Sequence, residues 1–153
     1  LNIQNNSIKN PHILIADDDS DDRQIIREAL NRNIPRCLYS YAEDGEEVLD
    51  FLYHRGRFTN KSYPPVDLIL LDLNMPRKTG MEVLEIIKKE PSLKHIPVVV
   101  LSTSQEEDDI IRTYNLGVNS FMTKPISYES LLNAMKILGK YWFEIVELPT
   151  QAL

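Results

Sequence analysis

Two hydrophobic rhythms alternate along this chain. Five short runs are apolar or nearly so: His12–Asp17 (HILIAD), Cys37–Ala42 (CLYSYA), Val66–Leu73 (VDLILLDL), Pro97–Ser102 (PVVVLS) and Ser120–Lys124 (SFMTK). The first, third and fourth are almost unbroken in Ile, Leu and Val, as strands are when a parallel sheet is covered by helices on both faces. Between the runs the spacing changes to that of helices. Ile25, Ile26, Ala29 and Leu30 form one stripe, with Pro35 beyond its end. Asp44 and Glu47 predict a capping box ahead of Val48, Leu49 and Leu52. Val83, Leu84 and Ile87 mark a third helix, stopped at Glu90–Pro91. Ser104 and Glu107 predict a second box ahead of Ile110, Ile111 and Tyr114, and Ser127 caps a last helix through Leu131, Met135, Leu138 and Trp142. Strand and helix alternate five times, which predicts a (βα)5 doubly wound α/β sheet with right-handed crossovers. The long connection Arg55–Pro65 reads as a surface excursion within one domain.

Composition narrows the class without changing this picture. A chain of 153 residues fits one domain: a polar, Asn-rich leader over residues 1–10, the folded unit over 11–143 and a C-terminal extension over 144–153. Cys37 is the single cysteine, so no internal disulfide can form, and a reducing cytoplasm is the expected compartment. No apolar run approaches the roughly 20 residues that span a bilayer. The net charge of −6 argues against a nucleic-acid-binding surface.

Candidate chemistry collects where such a sheet binds ligands, at the carboxyl ends of its strands. The first run ends in Asp17–Asp18, the third in Asp72, the fourth in Ser102 and the fifth in Lys124. Carboxylates brought this close repel one another and must protonate or hold a cation. Oxygen donors at an open rim suit Mg2+ (or Mn2+), which keeps several waters and pairs carboxylates with phosphate. A carboxylate that attacks a phosphoryl group needs the phosphoryl oxygens neutralised, and a divalent cation with a fixed lysine supplies that charge.

The segments ILIADD (Ile13–Asp18), LILLDLNMP (Leu68–Pro76), VVVLSTS (Val98–Ser104) and FMTKP (Phe121–Pro125) resemble the receiver domains of bacterial two-component response regulators. The likeness runs from about Pro11 to Trp142, and it implies a flavodoxin-like sheet of strand order 2-1-3-4-5. It implies that Asp72 is phosphorylated, and that Asp17, Asp18, Asp72 and the backbone carbonyl of Asn74 hold the metal. Ser102 and Phe121 would be the switch residues, Lys124 the contact to the phosphoryl group, and the Lys124–Pro125 bond cis. The implied partner is a sensor histidine kinase or a phosphotransfer protein. The protein would be no enzyme beyond its own phosphorylation and slow dephosphorylation. With no output module following, the signal would pass by protein contact. The stretches PPVDLILLDLNMPRKTG, PSLKHIPVVVLSTS and YWFEIVELP further resemble single-domain regulators that partner phytochrome histidine kinases.

Plainer readings compete at several positions. Asp17–Asp22 (DDDSDD) fails as a calcium-binding loop, since Asp22 stands where that loop turns on Gly. Asp19, Asp21 and Asp22 read instead as a solvated acidic first helical turn, favoured by the helix dipole. Ser102 could be an ordinary cap, but Ser104 is better placed for that. The histidines His12, His54 and His95 lack ligand spacing and read as structural, and Cys37 as a small buried hydrophobe. An aspartyl-phosphate phosphohydrolase needs a second acid two residues after its nucleophile, and Asn74 cannot serve. A receiver-like scaffold that no longer takes phosphate is opposed by the full set of Asp17, Asp18, Asp72, Ser102 and Lys124. The last helix carries a second apolar stripe of Ala134, Ile137 and Tyr141. Either the tail folds back over it, or the chain forms a homodimer through the last two helices and last strand, which is the expectation adopted.

Overall fold

The structure, a computed structural model, describes residues 10–149; the expected leader, save Asn10, and the final four residues of the expected extension lie outside them. Five strands, β1 (His12–Ala16), β2 (Leu38–Ala42), β3 (Leu68–Leu71), β4 (Val98–Ser102) and β5 (Ser120–Thr123), alternate with α1 (Ser20–Asn31), α2 (Gly45–Tyr53), α3 (Gly80–Lys89), α4 (Glu107–Leu116) and α5 (Tyr128–Lys140). All pairings are parallel, in the order β2-β1-β3-β4-β5. The order reverses between β1 and β3, and that reversal opens a crevice at the carboxyl ends of the central strands.

The unbroken apolar runs are explained by a core on each face. Leu14, Ile69, Leu71, Val98 and Val100 point to one side and meet Val48, Val83, Leu84 and Ile87 of α2 and α3. Ile13, Ile15, Leu68, Leu70, Val99 and Leu101 point to the other and meet Ile26 and Leu30 of α1 with Leu131 and Met135 of α5. Successive side chains of a strand alternate faces, so a strand covered twice cannot spare a polar position. The edge strands β2 and β5 are covered less completely, and their sequences are correspondingly mixed.

Local signals held unevenly. Ser127 caps α5 as expected, accepting the Ser130 N–H at 3.1 Å. The Asp44 box is half made: Asp44 accepts the Glu47 N–H at 2.8 Å, but the Glu47 carboxylate accepts from Glu43 N–H, one residue ahead of the cap. The Ser104–Glu107 box is not formed. The α4 helix starts at Glu107 after Glu106, so Ser104 stands too far ahead of the helix to cap it. Its hydroxyl instead accepts from Glu106 N–H and donates to the Asp109 carboxylate at 2.8 Å. The Arg55–Pro65 connection is more anchored than a surface excursion. A single 3-10 turn, Gly56–Phe58, buries Phe58 edge-on against Phe51, and Tyr63 stacks on Phe51 with ring centroids 4.2 Å apart. After α5 the chain makes a wide π-type turn, Tyr141–Ile145. Among the described residues no helix is long and apolar enough to cross a membrane.

Candidate functional site

The site residues stand on backbone ladders that run one residue past their strands. Asp17 N–H donates to Ala42 O at 3.0 Å, Asp72 N–H to Ala16 O at 2.9 Å, and Lys124 N–H to Ser102 O at 2.7 Å. The backbones of Asp17, Asp72 and Lys124 are therefore fixed at the rim by the sheet itself, whereas Asp18 lies in the β1–α1 connection. Asp17 and Asp72 are buried, at 2% and 7% exposure, whereas Asp18 lies open to solvent. Carboxylate oxygens of these three residues lie within 4.8 Å of one another.

Lys124 completes the cluster. Its ammonium donates to Asp17 at 2.7 Å and Asp22 at 3.0 Å, and lies 3.6 Å from Asp72. Burial opposes the lysine's charge, but the hydrogen bonds to Asp17 and Asp22 outweigh it and hold its pKa above the usual lysine value. Burial pushes the Asp72 carboxyl up; the Lys124 charge and the Asn74 N–H, which donates to Asp72 at 3.2 Å, pull the other way. The Asp17 carboxylate also accepts from Asp19 N–H at 2.9 Å, and its carbonyl from the Arg23 guanidinium at 2.7 Å.

Four of the expected residues, Asp17, Asp18, Asp72 and Lys124, thus meet at one point. Ser102 is fully buried at the end of β4, and its hydroxyl accepts from Ser104 N–H at 3.2 Å. Asn74 is exposed two residues beyond Asp72. Phe121 is half-buried on β5, and its N–H donates to the Tyr114 hydroxyl of α4 at 3.2 Å. One expectation is corrected. No cis peptide bond occurs among the described residues, so Lys124–Pro125 is trans, the intrinsically favoured isomer of an X–Pro bond, and the ammonium reaches the carboxylates without the cis turn.

Asp22, expected as a solvated acid, is partly exposed and also paired, its carboxylate accepting from the Lys124 ammonium at 3.0 Å. It is the third residue of α1, and the short β1–α1 connection places that first turn on the rim. Asp19 is the cap of α1, accepting from Asp21 and Asp22 N–H groups. His12 is structural: it is buried, with ring nitrogens 2.8 Å from Pro64 O and Ser40 Oγ. Cys37 is only half-buried, and burial pushes its thiol up to about 11.

Three oxygen-bearing side chains, two buried and one facing solvent, are a donor set that suits a hard divalent cation with open positions for water and phosphate. The arrangement sets the buried Asp72 carboxylate beside the Lys124 ammonium.

Comparison with known proteins agrees. The response regulator receiver domain family matches residues 13–136. The chain is 40% identical over 137 residues to response regulator Rcp1 of Synechocystis sp., covering 90% of this chain and 92% of that protein. Among solved structures, the phosphorylated cyanobacterial phytochrome response regulator RcpA superposes with a TM-score of 0.86 at 41% identity, over 92% of this chain and 99% of that one. The Mn2+-bound form of Rcp1 superposes with a TM-score of 0.85 at 39% identity, over the same shares.

Proposed function

The chain belongs to the response regulator receiver family, and from that premise we propose that Asp72 accepts a phosphoryl group from a phosphohistidine on a sensor kinase. The observation that carries this reading is the convergence of Asp72 with two further carboxylates and the Lys124 ammonium at the strand ends. In the transfer an Asp72 carboxylate oxygen attacks phosphorus, the phosphorus–nitrogen bond breaks, and the imidazole nitrogen leaves with the electron pair. Lys124 stands within reach of a phosphoryl oxygen and opposes the charge that builds there. Asp17, Asp18, Asp72 and the carbonyl of Asn74 would hold Mg2+ (or Mn2+), which would neutralise phosphoryl oxygens.

The resting hydrogen bonds suggest how the modification is read. Ser102 is engaged by Ser104, and Ser104 is tied to α4 through Asp109. A Ser102 hydroxyl that moves toward the phosphoryl group, donating its O–H there, would stretch its bond from Ser104 N–H and loosen the lead into α4. Phe121, held to α4 through Tyr114, then follows, and a two-state equilibrium of this face is biased. The face carries Ile111, Tyr114, Ile126, Tyr128, Ile137 and Tyr141 in the open. The described part of the tail leaves Ile137 and Tyr141 exposed, which favours a homodimer through α4, β5 and α5 over a tail folded back. The likeness to RcpA supports a phytochrome-type kinase as the phosphoryl donor.

Acetyl phosphate with Mg2+ tests the central reading. Acid-stable, base-labile label is expected on the wild type and absent from Asp72→Asn; label persisting in the variant overturns the assignment. Continuous phosphate release from simple esters would favour a phosphohydrolase. Sedimentation with and without beryllofluoride tests the dimer, and a monomer under both conditions counts against it.

A further inference from the structure

Lys124 is shared among three carboxylates, and the one that phosphoryl transfer does not use holds it more closely than the one that does. The ammonium lies 3.0 Å from Asp22 and 3.6 Å from Asp72, the latter beyond hydrogen-bond length. We propose that Asp22 is a positioning residue that parks Lys124 on the α1 side of the rim and so limits how readily Asp72 accepts a phosphoryl group. The proposal rests on the reading of Asp72 as the acceptor.

Three features of the geometry support it. First, Asp22 is held in place: its N–H donates to the capping Asp19 carboxylate at 3.2 Å, on a helix whose Ile26 and Leu30 are anchored in the core. Second, its side chain is 35% exposed, so water can replace the ammonium when Lys124 leaves, and the parked state is reversible. Third, the contact places one more negative charge beside the route of an incoming phosphoryl dianion, and that charge is compensated only while Lys124 stays parked. Reaching a phosphoryl oxygen on Asp72 requires Lys124 to turn from Asp22 toward β3, keeping its bond to Asp17. Neutralising Asp22 weakens the competing acceptor, which loses its charge, and removes the repulsion, so uptake should become faster.

The test compares wild type with Asp22→Asn, Asp22→Glu and Asp21→Asn, all labelled by acetyl phosphate in Mg2+ at fixed ionic strength. Asp21 is an exposed acid one residue away with no contact to Lys124 among those observed, so its variant reports the bare change of charge. The second-order rate constant of Asp22→Asn is expected to rise about threefold or more, a typical scale for a charge at a site mouth, with Asp21→Asn within about 1.5-fold of wild type. Asp22→Glu, which keeps the acceptor, should return toward the wild-type rate. A general loss of structure would slow labelling and could not produce this pattern. If Asp22→Asn folds poorly by circular dichroism, Asp22→Ser takes its place. An unchanged or slower Asp22→Asn, or an equal acceleration in Asp21→Asn, overturns the proposal. Absence of label on the wild type would instead overturn the Asp72 reading.

Discussion

Replacing Lys124 by Met keeps the apolar stem and deletes the charge, which isolates what the ammonium does for the resting site. Its separations of 2.7, 3.0 and 3.6 Å from Asp17, Asp22 and Asp72 correspond to gross attractions of about 6, 5.5 and 4.6 kcal/mol at an effective dielectric near 20. These sums are opposed by lost solvation and by repulsion among the carboxylates, and the Asp22 part is screened by its exposure. The relevant scale is the cost of stripping one partner from a buried ion cluster, about 3–5 kcal/mol. That is a large share of the about 5–15 kcal/mol by which domains are stable. Urea denaturation in EDTA should therefore show Lys124→Met destabilised by about 3 kcal/mol or more. In about 10 mM Mg2+ the gap should narrow by about 1 kcal/mol or more, because a cation that binds only the folded chain adds stability and the variant lacks the competing ammonium. A gap below about 1 kcal/mol in EDTA would refute the reasoning, since it would make the cluster no more than a surface pair. An equal gap in both conditions would show that metal and lysine do not share the same carboxylates.

Two further outcomes follow from the packing around the rim and at the opposite end of the sheet. A Cβ on Gly80 would stand 2.2 Å from Asp72 O and 2.7 Å from Leu73 Cα, backbone atoms that cannot turn aside. Gly80→Ala should thus cost about 1–3 kcal/mol or more by thermal denaturation and also slow labelling of Asp72 by displacing it; normal labelling would refute the coupling. His12 has its pKa lowered from 6.5, by burial first, while the carbonyl of Pro64 and the nearby Asp67 partly offset this. Because the folded value lies below the unfolded one, its contribution is complete well above pH 6.5 and is lost as pH falls through the folded value. Urea stability should drop from pH 7.5 to about 5.5 with a shallower slope in His12→Asn, and equal slopes would refute the assignment. Asp67, raised by burial, acts in the opposite sense and nearer the carboxylate range.

The sequence made the sheet legible because a strand covered on both faces leaves no ambiguity of period: Ile13–Ile15, Leu68–Leu71 and Val98–Leu101 can be little else. It made the placement of the rim residues legible for the same reason. Once the strands are placed, their last residues are placed too, and Asp17, Asp72, Ser102 and Lys124 follow from the ladder. Signals that depend on how a loop leaves the sheet were weaker. Ser104 and Glu107 have capping-box spacing, yet the chain spends the intervening Gln105 and Glu106 on a turn in which Glu106 N–H donates to the Ser104 hydroxyl, so the helix begins later. The trans Lys124–Pro125 bond is the intrinsic preference of an X–Pro pair, and the cis expectation came from the family resemblance alone. Asp22 shows the limit most clearly. An acid in the first turn of a helix is favoured by the dipole alone, so its presence carries no signal. Only the distance to Lys124 reveals a third claimant, beside Asp17 and Asp72, on the ammonium that a phosphoryl acceptor needs free. The rim residues thus give the site its chemistry, while the sharing of that single ammonium sets its threshold.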